Sequence, residues 1–183
     1  VSISADGEYI VAGGIGSEVI LFNKDSDIPV WIYDVGGPSD HIYTVSISAN
    51  GEHIVAGSKN GKVYLFDKES NIPIWEYQTS GESGVWSVEI SANGESIVAS
   101  SRGFSGGVYL FGKNNSTPVW SSSIGSVYSV SISANQEYIA AEANSEFYLY
   151  GRNSSVPLWN YTIESIDSNE DGIGDDSRIN DIA

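Results

Sequence analysis

The chain contains no cysteine and no methionine, and only eight of its 183 residues are lysine or arginine. Without cysteine there can be no disulfide scaffold, no thiol nucleophile and no zinc site built on thiolates. Set against 24 acidic residues, the eight basic ones leave a formal net charge of −16. That sign excludes the basic footprint that nucleic-acid phosphates need, and it opposes an anionic membrane surface. No apolar run reaches membrane-spanning length, so direct insertion into a bilayer is not expected. Histidine is scarce too: His41 and His53 stand at unlike positions, with no Gly-x-Ser-x-Gly elbow near either. The Gly-rich stretches "GGIG" and "GFSGG" lead into no helix whose N-terminus could hold a phosphate. No carboxylate pair stands out from the acidic surface, so no active site is read and a non-enzymatic role is expected.

What the chain has is repetition. "SADGEYIVAG" from Ser4 returns as "SANGEHIVAG" from Ser48, "SANGESIVAS" from Ser91 and "SANQEYIAAE" from Ser133. Each copy follows a Val-x-Ile at Val1, Val45, Val88 or Val130, giving periods of 44, 43 and 42 residues. Such a period means that one supersecondary unit stacks on copies of itself. Within a copy, "IYTVSIS", "EHIVAGS", "KVYLFD" and "IPIWEY" read as four short strands separated by turn-forming residues. Tyr43, Val45 and Ile47 alternate with Thr44, Ser46 and Ser48, so the innermost strand is expected to carry one bulky and one small face. The next two runs are almost continuously apolar, as in strands covered on both sides. The expected fold is all-β: a β-propeller of four-stranded antiparallel blades, four of them in this chain.

The repeats are 1–44, 45–87, 88–129 and 130–181, in one propeller domain over 1–183. A long insertion occupies 164–180, and Ile182 and Ala183 open a fifth copy. Four repeats out of a larger ring or array, or half of an eight-bladed assembly of two chains, is the expected arrangement, so a homodimer is one way to complete the ring.

In a meander the first and third connections share one rim, and the second connection and the crossover share the other. On the first rim the "SANGE" turns and the Phe/Tyr-to-Pro connections keep their lengths; this rim is architectural. On the other rim the second connection runs 7, 7, 9 and 6 positions, and the crossovers run 14, 13, 10 and 23. Loops on a rigid scaffold carry function, so a protein or glycan partner is expected on this variable rim. Glu8, Glu52, Glu95 and Glu137, with Lys24, Lys68, Lys113 and Arg152, recur in the constant-rim turns and are read as turn chemistry with weak surface pairing. Trp31, Trp75, Trp120 and Trp159 share one outer-strand position and are read as packing between blades, and Trp86, in an innermost strand, is read as packing as well.

Two resemblances follow from these residues. "VxISANGEHIVAGSKNGKVYLFD" is similar to the WD repeat, with Phe66-Asp67 where that family has Trp-Asp. "LFDKESNIPIWEYQT" resembles the repeat of pyrroloquinoline-quinone-type propellers, with its Trp in the outer strand. Both imply a propeller, and together they resemble repeats of archaeal or bacterial surface proteins. They imply a binding or scaffold module that is secreted or displayed at the cell surface, with no catalytic residues. The rival implications are a quinone-binding propeller enzyme and a cytoplasmic WD-type scaffold. Sequons at Asn114, Asn115, Asn153 and Asn160 suit glycosylation in an exported protein. "DSNEDGIGDD", from Asp167 to Asp176, resembles thrombospondin type 3 and EF-hand-like loops and implies calcium. Asp167, Asn169 and Asp171 stand at ligand positions one, three and five, Ile173 offers its carbonyl at seven, and Asp175 stands at nine. Position twelve, a bidentate Glu in the EF-hand, is Arg178 here.

Overall fold

The computed structural model describes residues 1–37 and 40–163. Wherever β-branched and aromatic runs lie between Gly-, Asn- and Ser-rich connections, a strand forms. The first blade is β1 (Ser2–Ile3), β2 (Tyr9–Gly13), β3 (Glu18–Asn23) and β4 (Trp31–Asp34). The second is β5 (Ile42–Ile47), β6 (His53–Ser58), β7 (Lys62–Asp67) and β8 (Trp75–Gln78). The third is β9 (Val85–Ile90), β10 (Ser96–Ser101), β11 (Gly107–Gly112) and β12 (Trp120–Ser123). The fourth is β13 (Val127–Ile132), β14 (Tyr138–Ala143), β15 (Glu146–Gly151) and β16 (Pro157–Thr162). Each blade is one antiparallel sheet with its strands in chain order. Among the described residues there is no helix, and so none that could cross a membrane. The all-β propeller expected from the repeats is the fold observed.

The repeated "SANGE" text is explained by its turn. Gly51 N–H donates to the Ser48 carbonyl at 2.9 Å, with Gly51 at φ 71°, a conformation that a side chain disfavours. Ser48 Oγ accepts His53 N–H at 3.0 Å and donates to Asn50 Oδ1 at 2.8 Å, and that oxygen accepts Glu52 N–H at 3.2 Å. The same hydrogen bonds recur in the other three blades at Ser4, Ser91 and Ser133. Serine and Asn or Asp are therefore held by local polar satisfaction and not by a ligand. Across the same rim Lys68 pairs with Glu52 at 2.6 Å, Lys113 with Glu95 at 2.5 Å and Lys24 with Glu8 at 3.6 Å. These bridges tie the first turn of a blade to its own third, as expected of surface pairing.

The core lies between blades. Val55, Val63, Leu65 and Trp75 of the second blade face Val85, Ile97, Tyr109 and Phe111 of the third. The corresponding residues fill the junctions on either side. This two-sided cover is why β6, β7, β10 and β11 carry apolar residues at consecutive positions instead of alternate ones. Each junction is keyed by an indole: Trp31 Nε1 donates to the Lys68 carbonyl at 2.8 Å, Trp75 Nε1 to the Lys113 carbonyl at 2.8 Å, and Trp120 Nε1 to the Arg152 carbonyl at 2.7 Å. Trp31 and Trp75 are buried and Trp120 is half-buried, as a packing role requires. Trp159 departs from that expectation, being 53% exposed. Among the described residues no blade follows it, so the position that is core elsewhere faces open space.

The small face of the inner strands does polar work. Thr44 Oγ1 accepts Val88 N–H at 3.2 Å, Ser87 Oγ accepts Val130 N–H at 3.3 Å, and Glu89 Oε2 accepts Ile132 N–H at 2.8 Å. The second and third blades thereby satisfy the free inner edge of the blade that follows each. The inner strands surround a cavity of about 340 Å³ at the constant-rim end, lined from all four blades by Ile3, Ser46, Glu89 and Ile132 among others. The blades form an arc about it: consecutive blades pack closely, whereas among the described residues the fourth does not pack on the first. Ile3 accordingly remains exposed.

Candidate functional site

The variable rim carries the most distinctive chemistry, and a backbone irregularity creates it. Along β5 and β6, Ile42 pairs with Ser58 and Thr44 with Gly57, leaving Tyr43 without a partner. Trp86 is skipped in the same way between Val85 and Ser87, and Tyr128 between Val127 and Ser129. A bulge at one residue reverses the facing of the side chain it carries. Simple alternation puts Tyr43 on the bulky face with Val45 and Ile47, and Trp86 reads as packing. The bulges instead leave Tyr43 and Trp86 exposed at the rim. Their rings meet at 5.1 Å with an interplanar angle of 50°.

Arg102 continues the row. Its guanidinium lies 4.1 Å from the Trp86 ring centroid and 4.6 Å from that of Tyr128. Tyr43, Trp86, Arg102 and Tyr128 thus form a ladder across three blades, of the aromatic and arginine type that dominates protein-binding hot spots. Arg102 comes from the connection between β10 and β11, nine positions by the count above. Its N–H donates to the Gly84 carbonyl at 3.1 Å, and its own carbonyl accepts Ser83 N–H at 3.1 Å. Trp86 Nε1 donates to the Ser83 carbonyl at 2.8 Å, and Gly103 N–H to Ser126 Oγ at 3.1 Å. The crossover before the third blade, the loop inside it and the crossover after it are therefore laced together, so the ladder rests on ordered backbone. The Arg102 Nε is buried without a hydrogen-bond partner.

Beside the ladder, Glu82 is held below the usual carboxylate range, chiefly by its own backbone N–H and then by Ser105. The Phe104 side chain, 98% exposed, projects at the tip of the same loop. The site thus offers flat aromatic faces, a guanidinium, a carboxylate that stays ionised and an apolar tip. Those groups suit an extended peptide with an apolar or aromatic anchor and polar flanks. The sequence carried one signal of the row: an aromatic two residues ahead of Val45, Val88 and Val130. Arg102 has one counterpart, Lys59, which follows Ser58 as Arg102 follows Ser101 and whose N–H likewise donates to the crossover before its blade, at His41. The first and fourth repeats have Ile15 and Asn144 there, so its stacking on the row could not be placed from spacing.

The remaining sequence candidates fall elsewhere. His41 precedes β5 on the variable rim, where its Nδ1 lies 2.9 Å from the Ile15 carbonyl, whereas His53 opens β6 on the constant rim. The two are not brought together. Among the described residues no three side chains of His, Asp or Glu gather as metal ligands. Asp167, Asn169, Asp171, Ile173 and Asp175 lie outside the described residues.

The fold and its repeated junctions define a β-propeller of four blades with a constant and a variable rim. A family model, WD domain, G-beta repeat, matches residues 29–67, from the outer strand of the first blade through β7 of the second. No curated protein matches the chain. The match and the four sheets support a WD-like β-propeller, and proteins with WD repeats as a rule serve as scaffolds for protein interactions.

Proposed function

We propose that this propeller is a non-enzymatic binding module that holds a protein segment on its variable rim, with the Tyr43, Trp86, Arg102, Tyr128 ladder as its centre. The observation that carries this reading is the bulge repeated in three consecutive blades, which spends backbone regularity to expose aromatic rings at one end of the propeller. Bulges that re-aim a side chain are features of use, whereas the constant rim is explained by its own turn chemistry. A glycan is the alternative occupant, for which the exposed Trp86 and Tyr43 faces would serve as the stacking surface.

We propose that the module works outside the cell. Its acidic balance suits that setting, and Asn114, Asn115, Asn153 and Asn160 are all exposed. The Pro-x-Trp outer strand supports kinship with quinone-type propeller repeats of surface proteins. The axial cavity has Glu89 and no lysine or arginine in its lining, which speaks against a quinone bound there. Calcium in the 167–175 loop is proposed from its ligand spacing alone. Titration calorimetry with calcium on the chain and on Asp171→Ala tests it, and no heat at millimolar calcium in either rejects it. A cytoplasmic scaffold is the competing location; fractionation of the native source decides between them.

The binding reading is tested by selecting peptides from a displayed library on the chain and measuring their affinity for Trp86→Ala and Arg102→Ala. About tenfold or greater weakening in each is expected for hot-spot residues. Undiminished affinity, or affinity lost when a "SANGE" turn is replaced by another tight turn, would place binding on a different face.

A further inference from the structure

Both ends of the arc carry the residues of a blade junction. At each internal junction the leading blade presents Val, Val, Leu, Trp in sequence order on its forward face: Val11, Val19, Leu21 and Trp31 in the first, Val55, Val63, Leu65 and Trp75 in the second. The fourth blade repeats this as Ala140, Phe147, Leu149 and Trp159, with Leu149 paired to Trp159 as Leu65 is to Trp75. On the receiving side, Ile54, Ala56, Tyr64 and Phe66 of the second blade correspond to Ile10, Ala12, Ile20 and Phe22 of the first. Among the described residues nothing covers either end, and Trp159 and Tyr161 are exposed.

The indole key gives the two faces a specific match. Trp31, Trp75 and Trp120 each donate to the carbonyl of the basic residue in the next blade's third turn, at Lys68, Lys113 and Arg152. The next member of that series after Trp159 is Lys24, the basic residue at the same turn of the first blade. Each indole also meets the aromatic at the end of the next blade's third strand, with centroids 5.4 Å apart for Trp31 and Phe66 and 5.2 Å for Trp75 and Phe111. For Trp159 that aromatic is Phe22. Within one chain the arc keeps these two faces apart.

We propose that the forward face of the fourth blade docks on the backward face of the first blade of a second copy, and that two copies close into an eight-bladed ring through two identical junctions. The contact is heterologous, fourth blade to first, and two copies close it because propellers hold about four to eight blades, a range that two four-bladed chains reach and three exceed. It continues an interface built three times within the chain, with Trp159 Nε1 donating to the partner copy's Lys24 carbonyl. The ring would also set two aromatic and arginine ladders on one rim.

The test is sedimentation of the chain across micromolar concentrations. A species of twice the 19.6 kDa chain mass is expected. Trp159→Ala should weaken it by about 30-fold or more, as for a buried anchor, while leaving the melting of the single chain unchanged. The pairing of unlike faces is read by complementation between Trp159→Glu and Phe22→Glu chains, each checked for folding by circular dichroism. Each alone should be monomeric, and mixing them should restore a two-chain species through the one intact junction. Should Phe22→Glu perturb the fold, Ile20→Glu replaces it. A monomeric chain at all concentrations, an open series of higher species, or dimerisation of Phe22→Glu by itself would each overturn the proposal. The last would point to pairing of two fourth blades.

Discussion

Replacing Trp75 by alanine removes the anchor of the junction between the second and third blades. The side chain is 9% exposed, its ring lies 5.2 Å from that of Phe111, and its indole donates to the Lys113 carbonyl. A buried tryptophan takes about 150–250 Å² out of water, which at about 25 cal/mol per Å² is about 4–6 kcal/mol as an upper bound. Alanine recovers little of it, and the neighbouring strands are held by their own hydrogen bonds and cannot collapse into the space. The lost hydrogen bond adds little, because the Lys113 turn is near solvent and water can take its place. The expected loss is therefore about 3–5 kcal/mol, the range found for aromatic-to-alanine changes in cores. Urea denaturation followed by circular dichroism and by fluorescence measures it, with the midpoint falling and the slope unchanged. Ile72→Ala, three residues earlier and 73% exposed, serves as the internal control and should cost no more than about 0.5 kcal/mol. A loss below about 1 kcal/mol for Trp75→Ala, or equal losses for both, would refute the claim that this stripe holds the blades together.

Ser48→Ala breaks the hydrogen bonds to His53 N–H and Asn50 at a buried site and should cost about 1–3 kcal/mol in thermal or urea unfolding. A neutral outcome would mean that the recurrent serine is not held by its turn. In Gly57→Ala the added methyl would stand 2.8 Å from Thr44 Cγ2 and closer still to the Val85 side chain, so overpacking should cost about 1–3 kcal/mol; a stabilised variant would show that the junction has slack. Glu142 takes the place in β14 that Gly13, Gly57 and Ser100 hold in the other blades. Burial pushes its carboxyl above the usual range, a Ser145 backbone N–H offsets part of this, and one carboxyl oxygen has no partner. A raised folded pKa means that the group favours the fold below its unfolded pKa and loses that contribution as pH rises through the folded value. Glu142→Gln should therefore be more stable than the parent at pH 7, with the difference closing as pH falls through the carboxylate range. A constant difference across that range, read from melting curves, would exclude titration of Glu142 as the cause.

The blade and its turns were legible because their causes are local. Period-two runs of Val, Ile and Tyr make strands. Ser48, Asn50 and Gly51 close their turn with their own side chains and a left-handed glycine, and those requirements fall within six residues. Equal and unequal loop lengths already separated an architectural rim from a variable one. The facing of Tyr43, Trp86 and Tyr128 was not legible, since it depends on one skipped pairing with β6, β10 or β14, which reverses an alternation that the sequence alone shows as unbroken. Arg102 reaches the row because β9 and β10 bring residues 86 and 102 together at one end of the third blade; a basic residue at this place recurs in the second repeat as Lys59, but the text of the repeat does not say which rings it meets. The four outer tryptophans read alike for the same reason. Trp75 and Trp159 occupy one position in the pattern, yet the first is buried and the second exposed. Burial belongs to the blade that packs against a residue, and that neighbour is decided by the curvature of the arc and not by the text of the repeat.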